Sequence, residues 1–208
     1  MRPPSGRAGF SLVLGAVLGL ALGGCLVPGY RFHHERDDFE RIESWRMSGN
    51  ALSQPAGSAD WIALDAEAVR PRGDSVRYAL VVDYRAADEP LGLRRGESLI
   101  VLADTARYVF STDQVGLRKD LRGPRETARY PVSRDAMRRI ALAGRIRVRV
   151  IGRSYYVDRN VTNRGLWRFR ELMEAVEGIP VPPRPSRRAP SAAPPQQPAA
   201  GPGRMPAG

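Results

Sequence analysis

Between Leu142 and Arg153 the chain reads LAGRIRVRVIGR, with arginine at 145, 147 and 149 alternating with Ile146, Val148 and Val150. A strict period of two sends successive side chains to opposite sides of an extended chain, whereas a helix would scatter them. The segment is therefore read as a half-buried strand whose arginine stems lie along the outward face. The same period recurs twice upstream. In VRYALVVDY, Val76, Tyr78, Leu80, Val82 and Tyr84 share one face and Arg77, Ala79, Val81 and Asp83 the other; in WIALDAEAV, Ile62, Leu64, Ala66 and Ala68 alternate with Ala63, Asp65 and Glu67. Strands of this kind, separated by Gly/Pro/Asp turn signals, must bury one face each and commit the chain to antiparallel sheet.

The remaining segments fill in that frame. FERIESWRMSGN (39–50) is a first strand, and SLIVLAD (98–104) is an almost unbroken apolar run, the pattern of a strand covered on both faces. A tight turn near Asp104-Thr105 returns it as ARYVFSTD, and Gly152-Arg153 returns the arginine strand as SYYVDRNV. TARYPV is a short strand whose Pro131 suits an edge or an end. AADEPLGLRRGE reads as a loop or short edge piece, and QVGLRKDLRGPRE (114–126) as a basic loop.

Two stretches change to the helical period. SRDAMRRIALAG has Ser133 as N-cap, Asp135 in the first turn, Met137, Ile140 and Ala141 on one face, and Gly144 as the stop. NRGLWRFRELMEAVEG carries a stripe of Leu166, Phe169, Leu172, Met173 and Val176, with Thr162 or Asn163 at its start and Gly178 followed by Pro180 at its end. The expectation is an α+β domain, mainly antiparallel and sandwich-like, of about six or seven strands with two helices.

The ends of the chain are of a different kind. MRPPSGRAGF holds two arginines and no acid, and leads into SLVLGAVLGLALGG, an apolar run too short for a bilayer span. The run ends at the only cysteine, and Leu22-Gly23-Gly24-Cys25 resembles the lipobox of bacterial lipoproteins. That resemblance implies a signal peptide over 1–24, a diacylglyceryl group and palmitate on Cys25, and a membrane anchor by that residue. With Leu26 rather than Asp next in line, it also implies the periplasmic face of the outer membrane, or the cell membrane in an organism that is not Gram-negative. Residues 25–36 then form a lipidated tether, 37–178 a single domain, and 179–208 a Pro/Ala-rich tail. From Gly178 onward the chain holds 10 of its 18 prolines and no acid, so it cannot bury enough apolar surface to offset its ordering entropy and is read as disordered.

Composition is strongly basic, with Lys+Arg 33 against Asp+Glu 22 and a net charge of +11. Lys119 is the sole lysine, so the excess is arginine, as in a G+C-rich genome. An exported chain without a recognition motif does not fit nucleic-acid binding. Arg118, Lys119, Arg122 and Arg125 are the candidate contacts to an anionic partner: lipopolysaccharide, phospholipid, a cell-wall component or an acidic protein face.

Catalytic signatures are missing. There is no phosphate loop, no G-x-S-x-G, no H-E-x-x-H and no C-x-x-C. Both histidines, His33 and His34, sit in the expected tether, where neighbouring side chains point apart and do not converge on one metal ion. Asp83 and Asp104 at strand ends read as turn formers before they read as an acid/base pair. No cofactor, metal or enzymatic activity is expected. Binding or scaffolding in the envelope is the first reading. A ligand-binding or hydrolytic domain is the second, and it would need Tyr78, Tyr84, Tyr108 or Tyr155 to line a deep pocket with convergent polar groups.

Overall fold

A computed structural model describes residues 29–86, 89–120 and 123–180. The lipobox with Cys25, Arg122 and the tail from residue 181 lie outside the described residues. In chain order the elements are β1 (Arg31–Asp37), β2 (Ile42–Ser48), β3 (Trp61–Pro71), β4 (Arg77–Arg85), β5 (Gly96–Ala103), β6 (Ala106–Thr112), β7 (Gln114–Asp120), β8 (Gly123–Val132), α1 (Arg134–Leu142), β9 (Ile146–Ile151), β10 (Tyr156–Asn160) and α2 (Asn163–Glu177). They form a six-stranded sheet, β1-β2-β3-β4-β8-β7, and a four-stranded sheet, β10-β9-β5-β6, with every pairing antiparallel. The fold is α+β and sandwich-like, as the alternation implied.

One core joins the layers. The larger sheet contributes Trp45, Met47, Leu64, Leu80, Val82, Tyr84 and Tyr130, and the smaller one Leu99, Val101, Ile146, Val148 and Val150. Both helices bury the stripes read from their sequences: Met137, Ile140 and Ala141 on α1, and Leu166, Phe169, Leu172, Met173 and Val176 on α2. Ser133 caps α1 by accepting from Ala136 N–H, and Thr162 caps α2 by accepting from Gly165 N–H. Gly178 closes α2 in the left-handed conformation at φ 68, its N–H donating to the Glu174 carbonyl. The stop of α1 differs from expectation. Ala143, in extended conformation, is its C-cap, while Gly144 N–H is taken up by the Asp104 carboxylate from the β5–β6 turn.

Ten strands are found where about six or seven were expected. The stretch assigned to the tether contains β1, which pairs with β2 along its whole length from Arg31↔Ser48 to Asp37↔Ile42. The stretch assigned to a basic loop is the β7–β8 hairpin, registered from Gln114↔Arg129 to Asp120↔Gly123. Only Asp113 separates β6 from β7, so a single ribbon leaves the edge of one sheet and becomes the edge of the other. Thr112 sits at that corner, its hydroxyl bonded to the Arg129 carbonyl and accepting from Gln114 N–H.

A bulge interrupts the β2–β3 ladder. Met47 pairs with Ala66, yet Ala51 pairs with Ala63, so one extra residue has been inserted around Gly49, where φ is 73. Asp65 occupies the gap and accepts from Asn50 N–H at 2.8 Å. Its carboxyl is pushed up to about 7, chiefly by burial, against the lowering effect of the backbone donors of Asn50 and Gly49. The loop between β4 and β5 is also tied down. Leu91 and Leu93 are buried, and Glu126, itself buried, accepts from Gly92 N–H at 3.1 Å and Leu93 N–H at 2.6 Å.

Candidate functional site

The arginine strand β9 opens onto the solvent face of the smaller sheet. Register places Asp158, Arg149, Ile100 and Val109 in one row across the four strands, and Asn160, Arg147, Leu102 and Arg107 in the next. Arg149 binds Asp158 through two bonds of 2.7 and 2.8 Å, and Arg147 adds a third at 3.0 Å. The Arg149 guanidinium also lies 4.3 Å from the centre of the Tyr156 ring. With two cations around it, Asp158 is held below the usual carboxylate range, mainly by the Arg149 bond.

Nothing in the described fold covers the apolar part of this face. Leu102 and Val109 are each 38% exposed and Tyr156 is 57% exposed. A shallow depression of about 200 Å³ is lined by Ile100, Leu102, Arg107, Arg147, Arg149 and Asp158. The unbroken apolar run of β5 had implied cover on both faces; here its second face is open. Apolar side chains on β5 and β6 and a tyrosine on the β10 edge, with two arginines and their acid between them, give this face aromatic, aliphatic and arginine content of the kind enriched at protein interfaces.

The anionic-partner candidates are distributed otherwise. Arg118 and Arg125 stand directly opposite one another on β7 and β8, and Arg85 on β4 continues the row beyond Arg125. Arg125 is engaged: its guanidinium holds Asp83 at 2.8 and 2.5 Å, with the Asp83 side chain only 7% exposed. Lys119, one residue on from Arg118, belongs to the alternate side of β7. The hairpin thus brings Arg118 and Arg125 together and leaves Lys119 out.

A cleft of about 960 Å³ lies where the β3–β4 turn, the start of α1 and the end of α2 meet, and it contains Arg70, Arg77, Arg129 and Arg134. Most of its polar groups serve each other. Glu177 accepts from Tyr78 Oη and Arg134 Nε, both at 2.6 Å; Arg70 donates to the Val176 carbonyl at 2.7 Å and to Glu43 at 3.0 Å; Arg129 donates to Glu67 at 3.0 Å. Arg134 holds the Glu177 carboxyl low, and burial with the Glu177 bond pushes the Tyr78 hydroxyl up. These bonds pin the end of α2 to the sheet. That is an architectural task.

The other residues singled out in the sequence do not assemble. Asp83 is in the larger sheet, whereas Asp104, at φ 51 in the β5–β6 turn, ties down the α1–β9 connection by accepting from Gly144 and Arg145 N–H. Tyr84 and Tyr155 meet through their hydroxyls at 3.2 Å, Tyr78 lines the cleft, and Tyr108 stacks on Phe110 in β6. His34 stacks on Trp45 and bonds Glu43, while His33 takes the alternate side of β1. Among the described residues no group of His, Cys, Asp or Glu is placed to hold a metal ion, and no helix is long and apolar enough to cross a membrane. Compared with family models, curated proteins and solved structures, the chain matches none.

Proposed function

We propose that this chain is a lipid-anchored protein of the bacterial envelope that binds or scaffolds a neighbouring protein without catalysing a reaction. The open face of the smaller sheet is the surface that carries the reading. Burying Ile100, Leu102, Val109 and Tyr156 would supply the apolar part of an interface, at about 25 cal/mol for each Å² removed from water. Arg107, Arg147 and Arg149 exceed Asp158 in charge, so the complementary partner offers carboxylates around an apolar patch. Anchoring rests on the lipobox-like Leu22-Gly23-Gly24-Cys25, and the compartment proposed is the periplasmic leaflet of the outer membrane.

Site-specific photo-crosslinking in intact cells tests the binding face. A crosslinker at Leu102 or Tyr156 is expected to give one discrete protein adduct that disappears on Arg147→Glu/Arg149→Glu. The same crosslinker at Phe39, 98% exposed in the β1–β2 turn, gives none. Equal labelling from all three positions would remove the assignment. Labelled palmitate entering the wild-type chain but not Cys25→Ser tests the anchor separately.

A further inference from the structure

The ordered domain begins much closer to the anchor than a tether reaching residue 36 would place it. Tyr30 is already fixed, its hydroxyl donating to Glu171 Oε2 at 2.9 Å and its ring lying 3.9 Å from the Arg168 guanidinium. Burial, helped by the Glu171 bond, pushes that hydroxyl's pKa upward. Between Cys25 and Tyr30 stand only Leu26, Val27, Pro28 and Gly29. Five fully extended residue steps reach about 18 Å. The interfacial layer of a leaflet is itself roughly 5–7 Å deep. A chain lipidated at Cys25 therefore keeps the surface around Tyr30 at the membrane.

That surface is the exposed side of the first two turns of α2. Arg168 and Glu171, which hold Tyr30, belong to the same stripe as Arg164, at spacings of four and seven, with Trp167 beside them. Arg164 is exposed and Trp167 half-buried. The helix has no acid in its first turn; it carries Arg164 there, although the dipole favours negative charge at that end. Arg31, the next residue along, is exposed but takes the alternate side of β1 from Tyr30 and Phe32, which pack on the core. A tryptophan between arginines suits a headgroup layer, where an amphipathic ring and cations meet phosphate.

We infer that Arg164 and Trp167 contact the headgroups of the leaflet that carries the anchor, and that this face binds acidic phospholipid. The inference rests on lipidation at Cys25.

The test uses the full-length lipidated protein reconstituted into phosphatidylcholine vesicles containing brominated phosphatidylglycerol or, separately, brominated phosphatidylcholine. Tryptophan emission is expected to be quenched at least about twofold more by the brominated acidic lipid, because basic residues near a surface gather acidic headgroups around them. Measured in a Trp61→Phe background, since Trp61 is half-buried, Trp167→Phe abolishes the quenching, because Trp45 is buried in the core. Arg164→Glu in the same background, which leaves Trp45 and Trp167 in place, brings the two lipids to equal quenching. Acylated protein whose emission ignores both lipids, or whose quenching survives Trp167→Phe, overturns the inference while leaving the anchor intact. Protein that takes up no labelled palmitate removes the anchor and the inference together.

Discussion

The outward faces of the two sheets use charge in opposite ways. On β3 and β4 of the larger sheet the acids are buried or nearly so and each is matched: Asp83 with Arg125, Glu67 with Arg46 and Arg129, Asp65 with the backbone of the β2 bulge. Between them the face is lined with small residues, among them the fully buried Ala63 and Ala79. On the smaller sheet two arginines share one acid, and the apolar residues between arginines stay in water. Charge on the first face is consumed in holding strands together, and charge on the second is left over for something outside the molecule.

The largest effect is expected where the smaller sheet is locked to the β4–β5 loop. A methyl group added at Gly152 would come within 2.0 Å of the Leu91 carbonyl, a distance that backbone must yield to. Gly152→Ala should therefore cost about 4 kcal/mol or more, read by urea denaturation. A cost below about 1 kcal/mol would mean that the loop is not seated as described.

Asp65 makes the larger sheet's face sensitive to pH. Its folded value, about 7, lies above the ordinary 3.8, so the native protein keeps this proton longer than the unfolded chain does. The stability it contributes is fully present below about pH 4 and is lost as pH rises through 7. Asp65→Asn keeps an acceptor for Asn50 N–H and removes the charge. In thermal scans between pH 4 and 8 the variant should lack that loss and melt higher than wild type at pH 8; parallel profiles for the two proteins would contradict the assignment.

The remaining two predictions set the faces directly against one another. Arg125→Ala strands Asp83 without its bidentate partner and should cost about 2 kcal/mol, less than a fully buried pair because Arg125 is partly exposed. Arg149→Ala, on the open face, should cost far less, since Arg147 still reaches Asp158. The same Arg149→Ala should nevertheless weaken the crosslink from Tyr156. Comparable stability losses for the two variants would erase the contrast between the faces.

Much of the architecture was legible where a face is buried. Alternation located β3, β4 and β9, the turn signal at Gly152-Arg153 placed β10, and every residue assigned to the helical stripes of α1 and α2 is buried. β1 and β7 escaped because they are edge strands: RFHHERD and QVGLRKD carry charges on both sides and are held by backbone pairing, which leaves no apolar period to read. The open side of β5 was misjudged for the converse reason, since Ile100 and Leu102 look the same in sequence whether a layer covers them or not. Asp65 and Glu126 gave no signal at all. Their partners are backbone N–H groups exposed by a bulge and by a distant loop, and nothing local marks either carboxylate as a clamp. Of the anionic-partner candidates, the pairing of Arg118 with Arg125 emerged only once the supposed loop proved to be a hairpin.

The ribbon that turns at Asp113 has a mechanical corollary. Because β6 closes one layer and β7 the other with a single residue between them, neither layer can peel away without dragging on its neighbour. Heat should dissolve both in one calorimetric transition, and a load applied through the N-terminal end, where Tyr30 and β1 are fastened, should be passed across that corner to the far side of the molecule.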